Sequence, residues 1–184
     1  FDIEKLNSIT RGGIPKKTLN IVMAGVNVGK SLVLCHLAAS YLSQGKNVLY
    51  ITLEMSEERI AERIDANLFD VPLDQIEVLP RDVFDNKVKK IAAKTHGKLI
   101  IKEYPTAAAH SGHFRALISE LKLKRNFVPD VVFVDYIGIC ASARVKGLSG
   151  AVNTNSFVKA ISEELRGLAI RSEEHTSELQ PHHD

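Results

Sequence analysis

Three groups of residues in this 184-residue chain have types and spacings that suit chemistry better than packing. The first is Ala24-Gly25-Val26-Asn27-Val28-Gly29-Lys30-Ser31, which follows the apolar residues Leu19, Ile21 and Val22 and opens an apolar helical pattern. A glycine-bearing turn of this length lets successive backbone N–H groups converge on phosphate oxygens, with the positive end of the following helix behind them. Lys30 supplies a point charge for the β and γ oxygens, and the Ser31 hydroxyl is a ligand for Mg2+. The stretch reads as a P-loop for ATP and Mg2+. Asn27 stands where such loops often carry Gly; a positive φ there suits Asn better than any other residue with a side chain.

The second group is the run Asn47-Val48-Leu49-Tyr50-Ile51-Thr52-Leu53, apolar almost throughout as a buried parallel strand is, ending in Glu54-Met55-Ser56. A carboxylate at the C-terminal edge of a parallel strand lies where ligands bind in open α/β sheets, and Glu54 there could orient or deprotonate an attacking water. An acid placed near the start of the next helix for its dipole would look the same. The third group is Val131-Val132-Phe133-Val134-Asp135, four apolar residues that deliver an acid, about a hundred residues after the P-loop. That is the form of a Walker B strand, with Asp135 directed at the Mg2+ shell.

The elements between these groups must hold them together. Leu19–Val22 is expected to be the strand that feeds the P-loop, and Leu32, Leu34, Leu37, Ala38, Tyr41 and Leu42 the inward face of the helix after it. Phe1, Ile3, Leu6 and Ile9 have helical spacing, and Arg11-Gly12-Gly13-Ile14-Pro15 ends that helix. Ser56 reads as the N-cap of a helix over Glu57 to Leu68, followed by a helical region from Leu73 to Lys94 broken at Pro80. Leu99–Tyr104 reads as a strand, and the residues from His110 to Leu123 as loop and helix. The His110/His113 pair has no third ligand in the sequence nearby, which makes a poor metal site. Ala143–Gly150 is small, basic and without periodicity, so Arg144 and Lys146 suit either contact with a phosphate backbone or an ordinary surface loop. From Ser156 the pattern is helical again, with Phe157, Ile161, Leu165, Leu168 and Ala169 on one face. Alternating strands and helices of this kind make an α/β protein with a mainly parallel sheet and helices on both faces.

With 45% hydrophobic residues the chain can build one domain with a real core, and no apolar run reaches the ~18 residues of a membrane span. A soluble, cytoplasmic protein is expected. Cys35 and Cys140 lie inside apolar segments and are expected to be core thiols. The first residue is not Met, as in a piece of a longer protein. Residues 171–184 hold one large apolar residue, Leu179, and the string R-S-E-E-H-T-S-E-L-Q resembles the translation of a sequencing-adapter oligonucleotide. By composition alone it reads as a disordered acidic tail. This tail holds one Arg against four acids, so residues 1–170 carry +5 where the whole chain carries +2, mildly favourable to nucleic acid.

R-G-G-I-P, A-G-V-N-V-G-K-S, Y-I-T-L-E-M-S, V-V-F-V-D-Y and E-E-L-R-G-L-A together resemble the RecA-like motor domain of DnaB-type replicative helicases over Phe1 to Ile170. The resemblance implies a homo-hexameric, 5′-to-3′ DNA helicase driven by Mg-ATP bound at subunit interfaces. By position, Lys30 and Ser31 would hold phosphate and Mg2+, Glu54 would be the catalytic carboxylate and Asp135 the Walker B acid. Arg144 and Lys146 would face single-stranded DNA in the ring channel. It also implies primase and helicase-loader partners and work in the cytoplasm, that of the host for a bacteriophage. Such proteins carry a further sensor strand and an arginine finger beyond the positions matched here, so the chain as written would be a partial motor. A RecA- or KaiC-like ATPase that does not unwind, or a nucleotide-binding module without catalysis, shares the P-loop and the Walker B strand.

Overall fold

A computed structural model describes residues 2–25, 27–144 and 154–171. Three parallel strands, β1 (Val48–Thr52), β2 (Leu99–Glu103) and β3 (Val131–Asp135), form a sheet in the order β2-β1-β3. Helices α1 (Glu4–Thr10) and α2 (Lys30–Ser43) precede β1. Helices α3 (Glu57–Phe69), α4 (Leu73–Ile76) and α5 (Arg81–Lys94) connect β1 to β2, and α6 (Ser111–Arg125) connects β2 to β3. A short 3-10 turn at Ile137–Ile139 and helix α7 (Thr154–Arg171) follow.

β1 is buried at all five positions, which is why its sequence is an unbroken apolar run. Side chains alternate between the faces of a strand, and the two cores divide accordingly. Leu49, Ile51 and Leu53 pack with Phe114 and Leu121 of α6 and Ile161, Leu165 and Leu168 of α7. Val48 and Tyr50 point the other way, against Cys35, Leu37, Ala38 and Leu42 of α2 and Ile60 and Ile64 of α3. Each such apolar side chain contributes on the order of 1.5–3 kcal/mol when fully buried. The register with β3 pairs Tyr50 with Phe133 and Thr52 with Asp135, so Asp135 falls on the same face as Tyr50 and α2. Tyr50 and Phe133 stack with ring centroids 5.7 Å apart.

The N-terminal ends of the strands are stapled by Asn47. Its side-chain amide donates to Val128 O (3.1 Å) and accepts from Lys98 N (3.2 Å), while its backbone N–H donates to Asp130 Oδ2 (2.8 Å). The expected Ser56 cap is present, with Oγ accepting from Arg59 N at 3.3 Å. Pro80 does divide the Leu73–Lys94 region, giving α4 and α5.

Two local expectations are corrected. Leu19–Val22 does not become a strand: residues 18–25 lie in neither helix nor ladder, and Ile21, Val22 and Met23 are 52%, 42% and 88% exposed. β-propensity reports fitness for a pleated surface, and a strand exists only where a neighbour accepts its ladder bonds. Leu32 does not pack inward either. At the first turn of α2 it is 52% exposed and lines a groove with Pro72 and Leu73, away from the sheet that buries Leu37, Ala38 and Leu42.

Asp65 of α3 is half-buried, and desolvation pushes its carboxyl up from 3.8 to about 6. The folded protein therefore holds this proton more tightly than the unfolded chain. The associated stability is complete below about pH 4 and is lost as pH rises through about 6. Asp65→Asn is expected to raise the unfolding free energy by about 1–2 kcal/mol near pH 8 and to give no gain near pH 3.5, measured by denaturant melts across that range.

Candidate nucleotide site

The start of α2 and the C-terminal end of β3 bring Lys30 close to Tyr136, the residue after Asp135. Gly29 takes the left-handed conformation (φ 99°) as the N-cap of α2, and Asn27 does the same at φ 58°. The Asn at that position therefore meets a backbone requirement that a β-branched residue would not. Lys30 folds back over the turn, its ammonium donating to Gly25 O at 3.0 Å and Ala24 O at 3.3 Å. It also lies 5.8 Å from the centroid of the Tyr136 ring, the residue next to Asp135. Ser31 follows in the first turn of α2, half-buried, and Val28 is 70% exposed. Val26 lies outside the described residues.

Asp135 is 1% exposed. Its Oδ2 accepts the Tyr50 phenol O–H at 2.9 Å, and the Cys35 thiol of α2 donates in turn to the Tyr50 oxygen at 3.9 Å. Oδ1 is the buried side-chain polar atom that lacks a hydrogen-bond partner among the described residues. Burial, with the neighbouring thiol and carboxylate charges, pushes the Tyr50 phenol well above its ordinary value, so it remains a donor. Desolvation likewise pushes Cys35 up to about 11 and Cys140 up to about 12. Both are free, buried thiols, as expected.

Glu54 follows β1 and is exposed. The turn after it is held by Thr52, whose Oγ1 donates to Met55 O (2.8 Å) and accepts from Met55 N (3.1 Å). The first turn of α3 already contains Glu57 and Glu58, so Glu54, two residues ahead of the Ser56 cap, is not one of that helix's terminal acids. The two histidines are used locally. His110 Nδ1 accepts from Gly112 N (3.0 Å) and His113 Nδ1 from His110 N (3.2 Å), a reciprocal cap at the start of α6.

Sequence reasoning missed Glu164. On the buried side of α7 and 8% exposed, it gathers four donors: Ser142 Oγ (2.7 Å), Ser111 Oγ (2.9 Å), Ala143 N (3.3 Å) and Arg144 N (3.4 Å). It thereby ties the segment leaving β3 to both α6 and α7. Three residues after Ile161 and one before Leu165, an acid on the apolar face was the available signal. Burial pushes its carboxyl up, and the four donated hydrogen bonds outweigh that, leaving it below its ordinary value. Arg144 points outward, its guanidinium 2.8 Å from Glu163 Oε2. Lys146 and residues 172–184 lie outside the described residues, so the basic loop is placed only at Arg144.

The sequence matches the DnaB-like helicase C-terminal domain family over residues 2–174. The chain belongs to that family. It is 53% identical over 176 residues to the DnaB-like replicative helicase of Enterobacteria phage T4, covering 94% of this chain and 37% of that protein. It is 30% identical to a probable plasmid replicative DNA helicase of Chlamydia psittaci over 154 residues, 82% of this chain and 31% of the other. A shorter likeness, 29% over 108 residues, joins it to the DNA repair protein RadA of Campylobacter jejuni, covering 57% of this chain and 23% of that one. In fold it is similar to a DnaB-like replicative helicase whose structure was solved with its interactions with primase, at a TM-score of 0.65 and 16% identity over 90% of this chain and 39% of that one. The chain thus spans about a third of the length of the curated helicases it matches.

Glu164→Ala is expected to lower the unfolding free energy by about 2–4 kcal/mol at neutral pH, because it leaves several buried donors without an acceptor. Because the folded carboxyl is held below 4.5, its contribution is present above that pH and is lost as pH falls below it. Denaturant melts of the two proteins should therefore converge in acid.

Proposed function

We propose that this chain is the ATP-binding core of a hexameric replicative helicase, in which Mg-ATP hydrolysis by the whole protein drives 5′-to-3′ unwinding of duplex DNA. The observation that carries this reading is Asp135. A buried acid with one oxygen bonded to Tyr50 and the other without a partner stands at the C-terminal end of β3, beside a tyrosine that touches the P-loop lysine. Mg2+ keeps several waters and takes one or two carboxylates together with substrate phosphates, which suits a single buried acid. No cluster of three or more His, Cys, Asp or Glu able to hold a metal exists among the described residues, so a cage made of protein alone is not the alternative there.

In this reading the backbone of Ala24 to Gly29 cradles the phosphates, and Lys30 exchanges its two loop carbonyls for phosphate oxygens. The stronger charge-assisted contact favours that exchange. Ser31 and Asp135 would hold Mg2+, which would supply neutralisation of the phosphate charge there. Glu54, exposed at the end of β1, orients the attacking water and accepts its proton. Arg144 and Lys146 contact the backbone of single-stranded DNA in the ring, with Arg144 exchanging Glu163 for phosphate. Primase and a loader are the protein partners of the assembled helicase, and the cytoplasm, of the host for a phage protein, is where it works.

The likeness to RadA supports a second reading, a recombination-type ATPase that binds DNA without separating strands. Its discriminating outcome is filament formation on DNA with no unwinding by the full-length protein. For the chain in hand, titration calorimetry should show Mg-ATP binding that Lys30→Ala weakens by at least about tenfold, the loss expected for one charged phosphate contact. A folded wild-type chain that binds no nucleotide would overturn the assignment of this chain as the nucleotide-binding core.

A further inference from the structure

Tyr50 belongs to no nucleotide-binding motif, yet it is the residue that touches the Walker B acid. It is fully buried at the centre of β1, and the β1–β3 register puts Asp135 opposite Thr52, one same-face step beyond Tyr50's own partner Phe133. The diagonal reach is short enough for the phenol to donate to Asp135 Oδ2 at 2.9 Å. The ring cannot swing away easily. It stacks on Phe133, and its oxygen also receives the Cys35 thiol of the P-loop helix. One oxygen of Asp135 is therefore committed, and the buried oxygen left without a partner is Oδ1.

We infer that Tyr50 is a positioning residue for the metal, holding Asp135 Oδ2 so that Oδ1 is the oxygen presented to Mg2+ or to its water shell. The inference rests on the nucleotide reading above and adds to it a residue that acts on the cation only through Asp135. A carboxylate free to rotate would offer either oxygen and would lose orientational freedom on binding. A carboxylate clamped at one oxygen has already done so. Outer-shell partners of metal ligands commonly account for 10–100-fold in metal affinity.

The test is the Mg2+ dependence of ADP binding, followed by calorimetry on the chain at a series of free Mg2+ concentrations. Tyr50→Phe keeps the ring and its stacking and removes only the donor. It is expected to raise the Mg2+ midpoint by about tenfold or more while leaving ADP affinity in EDTA unchanged. Leu42→Ala thins the same buried cluster without removing a hydrogen bond of Tyr50 or Asp135, so it should lower the melting temperature and leave the Mg2+ midpoint alone. An unchanged midpoint in Tyr50→Phe, or an equal shift in Leu42→Ala, overturns the inference while the nucleotide reading stands. ADP binding by the wild type that does not depend on Mg2+ overturns the inference alone, and a folded wild type that binds no ADP overturns both. Should Tyr50→Phe not fold, a crystal structure of the wild-type chain with Mg2+ and ADP decides. The Tyr50–Oδ2 hydrogen bond is expected to persist with Oδ1 toward the metal, and a metal on Oδ2 with that bond broken overturns the inference.

Discussion

Burial of β1 on both faces is the constraint from which the rest of the structure follows. A strand with helices above and below is apolar wherever no partner meets a polar group, as at Val48 to Ile51, with Thr52 inside because its hydroxyl is paired, and its alternation assigns each neighbour to a side. Leu49, Ile51 and Leu53 require α6 and α7, whereas Val48 and Tyr50 require α2 and α3. A slip of one residue in the register with β3 would exchange the faces. It would take Asp135 from the side of the P-loop helix to the side of α7. The position of Asp135 is in this sense a consequence of hydrophobic pairing, a placement that packing makes before any chemistry of the acid is considered.

That order of causes explains what could be read from the sequence. β1, β3 and α3 were legible to within a residue or two because burial writes itself into local pattern: an unbroken apolar run, four apolar residues and an acid, an N-cap before a 3.6-residue period. Lys30, Ser31, Glu54 and Asp135 were singled out by residue type beside such elements, and the structure adds where they lie: Lys30 and Ser31 in the first turn of α2, Glu54 just after β1 and Asp135 at the end of β3. Leu19–Val22 has the same local qualities as β1, and the structure gives it no ladder, since pairing is decided by residues far away in the chain. Tyr50 was invisible, and Glu164 only faintly marked by its place on an apolar face, for a related reason. Tyr50 looks like one more apolar residue until the register sets it diagonal to Asp135. Glu164 looks like half of an acidic pair until α6 and the segment after β3 supply its donors.

The polar groups buried near the strand ends show why such residues are tolerated inside. Thr52, fully buried where β1 ends, satisfies with its hydroxyl backbone groups that the ladder leaves over. An unmet donor or acceptor there would cost on the order of 1–3 kcal/mol, as much as one apolar contact contributes. Asp135 departs from this rule at a single atom, Oδ1. A fold that pairs its other buried side-chain polar atoms among the described residues, and leaves that one, concentrates its unmet polarity at a single acid where β3 ends.

Glu163 and Glu164 show the same economy on the opposite face of the sheet, where adjacent acids do unlike work. Glu163 meets the Arg144 guanidinium in the open, with both side chains at least half exposed, and a pair of that kind is worth little because water and salt serve each partner nearly as well. Glu164 is buried and fixes backbone, accepting from Ala143 N and Arg144 N as well as from two serines. The side chain of Arg144 can therefore change partners at small cost while its own backbone stays anchored. The interactions that fix the backbone at Ala143 and Arg144 and the one that pairs the Arg144 side chain belong to different carboxylates, so the side chain can exchange its partner without disturbing the main chain that carries it.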